Sequence, residues 1–224
     1  MRLITGLLVF TAMAFAIEKP NEETVRRLNE SAVVLSEVVD SDMGIPQDLL
    51  DHAHCVSVVP GLKKGAFIVG AQYGRGFLTC RKSGGWSAPL PMKVEGGSFG
   101  FQIGGSETDV VMLVMNKNAV DKLLSSKFTL GGDAEVAAGP VGRKVTAETD
   151  LHMKAEILSW SRARGVFAGV ALKGATLRQD EKETENLYGR KIEGRDILAN
   201  TAPPAAASRL LSVLQKHSPI EKTK

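Results

Sequence analysis

Three groups of residues have types and spacings that could do chemistry. Gly96-Gly97-Ser98-Phe99-Gly100 matches G-x-S-x-G, which presents a nucleophilic serine where a buried strand turns sharply into a helix, and Asp150 and His152 are available as partners. Here Pro89, Pro91 and Glu95 precede the motif, and alternating Phe99, Phe101 and Ile103 follow it, so the required context fails on both sides. His52-x-His54 lies beside Asp48 and Asp51, but a metal site needs three or four ligands and no second cluster exists, which leaves these as polar residues at a helix end. Neither a phosphate-cradling G-x-x-x-x-G-K-[ST] nor a G-x-G-x-x-G occurs, and Glu107 and Asp109 read as solubilising acids flanking a strand. No catalytic constellation, metal or cofactor is expected. The third group is cationic. Lys63 and Lys64 fall in the connection 60–65, Arg75 follows Tyr73, and Arg26 and Arg27 lie near the N-terminus. These five could hold an anionic headgroup; the plainer reading of the lysines is two solvated side chains at a turn.

The elements that position them start in a glycine-punctuated stretch. Of the chain's 23 glycines, 12 lie between Gly61 and Gly105. Apolar runs rich in Val, Ile and Phe predict strands at 55–59, 66–73, 76–81, 98–103 and 109–115. Trp86 sits in a loop, either capping the sheet or exposed. Ala119, Val120, Leu123 and Leu124 then share a helical face, with Asn116 or Asn118 as N-cap. Strands resume at 128–130, 133–138, 143–149, 154–160 and 165–172, broken by Gly131-Gly132, Gly139-Pro140 and Gly165. Asp180 and Glu183 form a capping box opening a helix that Gly189 stops. The segment 201–207, TAPPAAA, reads as a linker before a short amphipathic helix at 208–217. The fold class is α+β: a curled or barrel-like antiparallel sheet of many short strands with flanking helices.

Before this domain, residues 20–41 place Val25, Leu28, Ala32, Leu35 and Val39 on one face of an amphipathic helix, with Glu22 and Glu23 in its first turn. The apolar face either packs on the domain or lies on a membrane with Arg26 and Arg27 at the headgroups. Pro46 opens a second short helix. Residues 1–16 combine Arg2, an apolar core and Ala14-Phe15-Ala16 as a secretory signal peptide, so the product is expected to be exported, periplasmic or secreted, and peripheral on a membrane if bound there. Residues 17–44 then hold the N-terminal helix, 45–198 the β-rich domain, and 199–224 the linker and C-terminal helix. Without Arg2, 27 basic side chains face 25 acidic ones, too mild an imbalance for a nucleic-acid protein. Cys55 and Cys80 permit one disulfide in an exported chain, but a simple meander would hold them roughly 10 Å apart on strands flanking a third.

Taken together, IPQDLLDHAHCVSVVPGLKKGAFIVGAQYGRGFLTCR, GGWSAPLPMKVEGGSFGFQIGGSETDVVMLVMN, FTLGGDAEVAAGPVGR and WSRARGVFAGVALKGATLRQD resemble the SYLF domain family, the Ysc84-type actin-associated, lipid-binding module. The likeness runs from about Ile45 to Leu198. It implies a non-catalytic domain that binds phosphoinositide or another anionic lipid, with Lys63 and Lys64 at the family's basic turn and residues 20–41 at its amphipathic helix. The export signal marks a bacterial-type member, for which anionic phospholipids of the envelope take the place of cytosolic phosphoinositides. The alternative is a structural or protein-interaction module of the envelope with no lipid ligand.

Overall fold

A computed structural model of the chain describes residues 20–66, 69–99, 104–125, 128–142, 155–163, 166–169, 172 and 174–219. Its two longest strands come from the glycine-rich stretch. β1 (Cys55–Ala66) and β2 (Val69–Lys82) form one antiparallel hairpin, so the strands expected at 66–73 and 76–81 are a single strand. Gly76 does not break it. A Cβ there would lie 2.0 Å from the Val58 carbonyl oxygen, so glycine is required for the close approach of β1 rather than for a turn. With no strand between them, Cys55 and Cys80 face each other across the ladder, Cα atoms 4.0 Å apart, and are joined in a disulfide. The meander that would separate them lacks its middle strand.

The connection expected at 60–65 is also strand. Its Pro-Gly pair is absorbed by a bulge that shifts the register of β1 against both neighbours. Gly61 takes φ +61°, which favours glycine, and its N–H donates to Asp109 Oδ1 at 2.9 Å. An extra residue also reverses which side chains face which layer. Ahead of the bulge, Val56 and Val58 face one core and Cys55 and Val59 the other; beyond it, Leu62 shares the core of Cys55 and Val59. Lys63 therefore projects on the face of Val56 and Val58, and Lys64 on the opposite one. The two lysines do not share a turn.

The rest of the sheet comprises β3 (Gly85–Trp86), β4 (Leu90–Phe99), β5 (Gly104–Val114), β6 (Phe128–Thr129), β7 (Val136–Ala138), β8 (Ile157–Ala163), β9 (Val166–Gly169) and β10 (Thr176–Gln179). Its order is β6-β10-β4-β2-β1-β5-β8-β7, with β3 added to β2 and β9 to β8, in a curled half-barrel. Described strand pairings are antiparallel except β7 with β8, and an isolated parallel bridge joins Leu130 to Ala134. The fold is α+β, as the pattern of short strands implied. The strand expected at 143–149 lies outside the described residues, as do Asp150 and His152.

Helices α1 (Glu22–Asp40) and α6 (Ser208–His217) cover one face of the sheet, joined by α2 (Gln47–His52). Leu28, Ala32, Leu35 and Val38 of α1 pack with Val56, Val58, Phe77, Val111 and Trp160, and Leu210 and Leu214 of α6 enter the same cluster. At about 1.5–3 kcal/mol for each large apolar side chain buried, this docking outweighs any gain from leaving α1 in solution. The α1 stripe packs on the domain and is not free to meet a membrane in this state. Ala207, at the end of the segment expected as a linker, is buried in a 3-10 turn against that same core.

The opposite face carries Leu78, Leu90, Met92, Met112, Phe128 and Leu177 under α3 (Lys117–Leu123) and α5 (Gly194–Asn200). Asn116 caps α3 by accepting from the Ala119 N–H at 2.8 Å. α4 (Glu181–Tyr188) is capped by Asp180 and ends at Gly189 with φ +69°. Trp86 is buried, and its Nε1–H donates to the Ser218 carbonyl at 3.2 Å beneath the Arg81 guanidinium, which fastens the end of α6 to β2 and β3.

Candidate binding face

Side chains on the α1 side of the sheet change character along the strands. Next to the core, Val58 pairs with Phe77 and Val111, and Val111 with Trp160. One step on, Arg75 stands beside Lys93, and Asp109 beside Arg162. A further step gives the row Glu95, Tyr73, Lys63 and Glu107 across β4, β2, β1 and β5. Last comes a row almost without side chains, Gly97, Ala71, Gly65 and Gly105, all exposed. α1 covers the apolar row, and a groove of about 1010 Å³ opens between it and the charged ones.

This groove gathers four of the five cations singled out from sequence: Arg26, Arg27, Lys63 and Arg75 line it. Their states differ. Arg27, 9% exposed, donates to Glu183 Oε1 at 2.5 Å and also pairs with Glu23. Glu183 is 5% exposed and accepts a further bond from the Thr24 hydroxyl at 2.8 Å. Arg75 Nε lies 3.0 Å from Asp180 Oδ2, and its Nη1 3.8 Å from Glu183. Burial pulls the Arg75 guanidinium down, but attraction to Asp180, Tyr73 and Glu183 outweighs it and leaves the group raised. Asp180 and Glu183 thus bind α1 and β2 to the start of α4. In place of a reciprocal capping box, the Asp180 N–H donates to the Pro91 carbonyl while the Glu183 carboxylate turns away to the arginines. Arg27 and Arg75, both expected at a headgroup, are thus each paired with a buried carboxylate of the fold. Arg26 is 63% exposed and paired with Glu30 one helical turn on. Lys63 is exposed and Lys64 half-buried on the other face, and neither makes an ion pair among the described residues.

Sequence reading missed Arg162 and Arg209, which also line the groove. Arg162 grips Asp109 Oδ2 through Nε and Nη2 at 2.9 and 2.6 Å and pairs with Glu37 of α1. Its signal was present in the alternation of Trp160 and Arg162 along β8, but which acid it would meet was not. Ser98 lies within β4 opposite Gly70, with Phe99 continuing the strand, so no nucleophile elbow forms there. His52 Nδ1 lies 2.7 Å from the Asp48 carbonyl oxygen at the end of α2. Among the described residues no group of three His, Cys, Asp or Glu side chains is placed to hold a metal.

A family model described as Ysc84, Las17-binding protein actin regulator, matches residues 95–217. The chain belongs to the Ysc84 (SYLF) family. The human SH3 domain-containing YSC84-like protein 1 is 32% identical over 193 residues, covering 83% of this chain and 56% of that protein. LAS seventeen-binding protein 3 of Saccharomyces cerevisiae is 29% identical over 205 residues, 89% of this chain and 44% of its own. An SH3 domain-containing protein of Schizosaccharomyces pombe reaches 35% over 175 residues, with 76% and 40% covered. The chain thus spans about half the length of these curated relatives. Within the Ysc84 domain, the matched residues take in β4 from Glu95, all of β5 and the strands and helices that follow, including the Asp180–Glu183 cap.

Proposed function

We propose that this Ysc84-family chain is a non-catalytic binding module, exported by its N-terminal segment, that meets anionic phospholipid with the end of the β1–β2 hairpin. The observation that carries the reading is that Lys63 and Lys64, unlike the three arginines, hold no carboxylate among the described residues. They project from opposite faces of β1 three and two residues before its end at Ala66, roughly 7–10 Å back along the strand. A hairpin pointing end-on at a bilayer brings both ammonium groups to headgroup depth together. Each cation at an anionic surface contributes about 1 kcal/mol.

Cosedimentation with vesicles tests this. The chain should bind phosphatidylglycerol-rich but not pure phosphatidylcholine vesicles, and Lys63→Glu with Lys64→Glu should weaken the binding by at least about 30-fold, as removal of two such contributions requires. Binding that survives the double reversal would overturn the role of these lysines. A protein-interaction module is the second reading. It is favoured by acids standing among the cations of the α1 groove, and by the name of the yeast relative, a Las17-binding protein.

A further inference from the structure

We infer that the groove between α1 and the charged rows is a docking site for an extended polypeptide segment bearing one acid and one base on the same side. The inference rests on the second reading above and supplies its site and the kind of segment that fits. Most of the charges lining the groove are consumed within the fold. Arg27, Arg75, Arg162 and Arg26 are paired, as are Glu23, Glu30 and Asp109. Lys63, Arg209, Glu22 and Glu107 remain on the lining without an ion pair among the described residues. That remainder is two cations and two anions. A uniformly anionic surface is attracted by the first two and repelled by the others, whereas a segment with both signs satisfies the set.

The register fixes the spacing. Lys63 and Glu107 are direct partners across β1 and β5, with Cα atoms roughly 5 Å apart. Two same-side residues of an extended chain are roughly 7 Å apart, close enough for an acid to reach Lys63 and a base to reach Glu107. Tyr73 is the next side chain in that row. It is 44% exposed, one of two exposed large apolar side chains among the described residues, and the Arg75 guanidinium sits 5.9 Å from its ring centroid. The ring offers the segment a flat apolar contact with a polar tip. Beside it, a Cβ at Gly65 would meet nothing within 4 Å, so a chain can approach the sheet backbone. The groove, about 1010 Å³, stands at the top of the roughly 300–1,000 Å³ typical of small-molecule pockets, which suits several residues better than one headgroup.

The test pans the full chain against a phage library of random peptides, then measures the selected peptide by fluorescence anisotropy against wild type, Glu107→Lys, Tyr73→Ala and Lys64→Glu. Enriched sequences should carry an acid and a base two positions apart. Their affinity should fall about tenfold in Glu107→Lys and in Tyr73→Ala, both exposed positions, with thermal unfolding unchanged, and should hold in Lys64→Glu, which faces away. Failure to enrich such peptides, or an affinity indifferent to Glu107→Lys and Tyr73→Ala, overturns the proposal. So does Glu107-dependent binding of phosphatidylcholine vesicles, which would make the occupant a zwitterionic headgroup. Glu107→Lys separates the two readings, since removing an acid leaves binding to anionic vesicles unchanged or stronger.

Discussion

Two sets of basic residues sit on neighbouring elements of this domain, with Arg75 on β2 and Lys63 and Lys64 on the adjacent β1, and they stand in opposite states. At the α1–α4 junction, Arg27 and Arg75 lie against Glu183 and Asp180, carboxylates 5% and 2% exposed. At the far end of β1, Lys63 and Lys64 stand on separate faces with no carboxylate partner among the described residues. Sequence chemistry assigned all of them to one class. Burial separates them, because a charge taken out of water must be matched where it lies, whereas one left in water need not be. The arginines hold the fold together, and the lysines hold no carboxylate among the described residues.

The largest expected effect attacks the first set. Glu183→Ala removes the carboxylate shared by Arg27, Thr24 and Arg75 and leaves the Arg27 guanidinium, 9% exposed, with only the solvent-exposed Glu23 as a partner. Stability should fall by about 3–5 kcal/mol. Arg26→Ala, which breaks an exposed pair one helical turn in length, should change it by less than about 0.5 kcal/mol. Urea denaturation followed by circular dichroism measures both. Equal effects would mean that burial does not separate the charge pairs that hold the fold from those left in water.

How far each set was legible follows from range in sequence. Asn116, Asp180 and Gly189 act within four residues of their own helices, and the caps they form were readable from residue type alone. Glu183 meets Arg27 across 156 positions, and no local pattern announces that contact. The same limit explains β10, whose four residues TLRQ become a strand because β4 and β6 lie on either side. It also explains α5, which opens on Gly194 without a side-chain cap and is held by Ile197 and Leu198 in the core. The Pro-Gly pair at 60–61 carries a genuine turn signal, and the strand retains it as a bulge. What the signal could not convey is that Lys63 and Lys64 end on opposite faces as a result.

An intermediate effect probes that bulge. Gly61→Ala places a Cβ at φ +61°, 2.7 Å from Glu107 Oε1. The left-handed conformation alone costs about 1–2 kcal/mol, and Glu107 must move aside. The unfolding midpoint should drop accordingly. If relief of the strain moves the extra residue along β1, Lys63 changes face as well, and the response of vesicle binding to Lys63→Glu should change with it. A variant as stable as wild type would place the register shift elsewhere in the strand.

The smallest effect is the most diagnostic for the second set. Lys63 is exposed on β1 between Tyr73 and Glu107, near enough to Glu107 for attraction but forming no ion pair. Its replacement by Ala removes a solvated ammonium and a flexible stem, so stability should shift by less than about 0.5 kcal/mol in either direction. Lys64 should shift slightly more, because its half-buried stem lies along the face that carries buried Gln72. A loss well above that bound at Lys63 would show the lysine to be a structural partner of Glu107, and would erase the division between charges that hold the domain and charges that present it. A neutral result combined with lost vesicle or peptide binding assigns the residue to a partner, since the folded domain alone then gives no reason for a cation at that position.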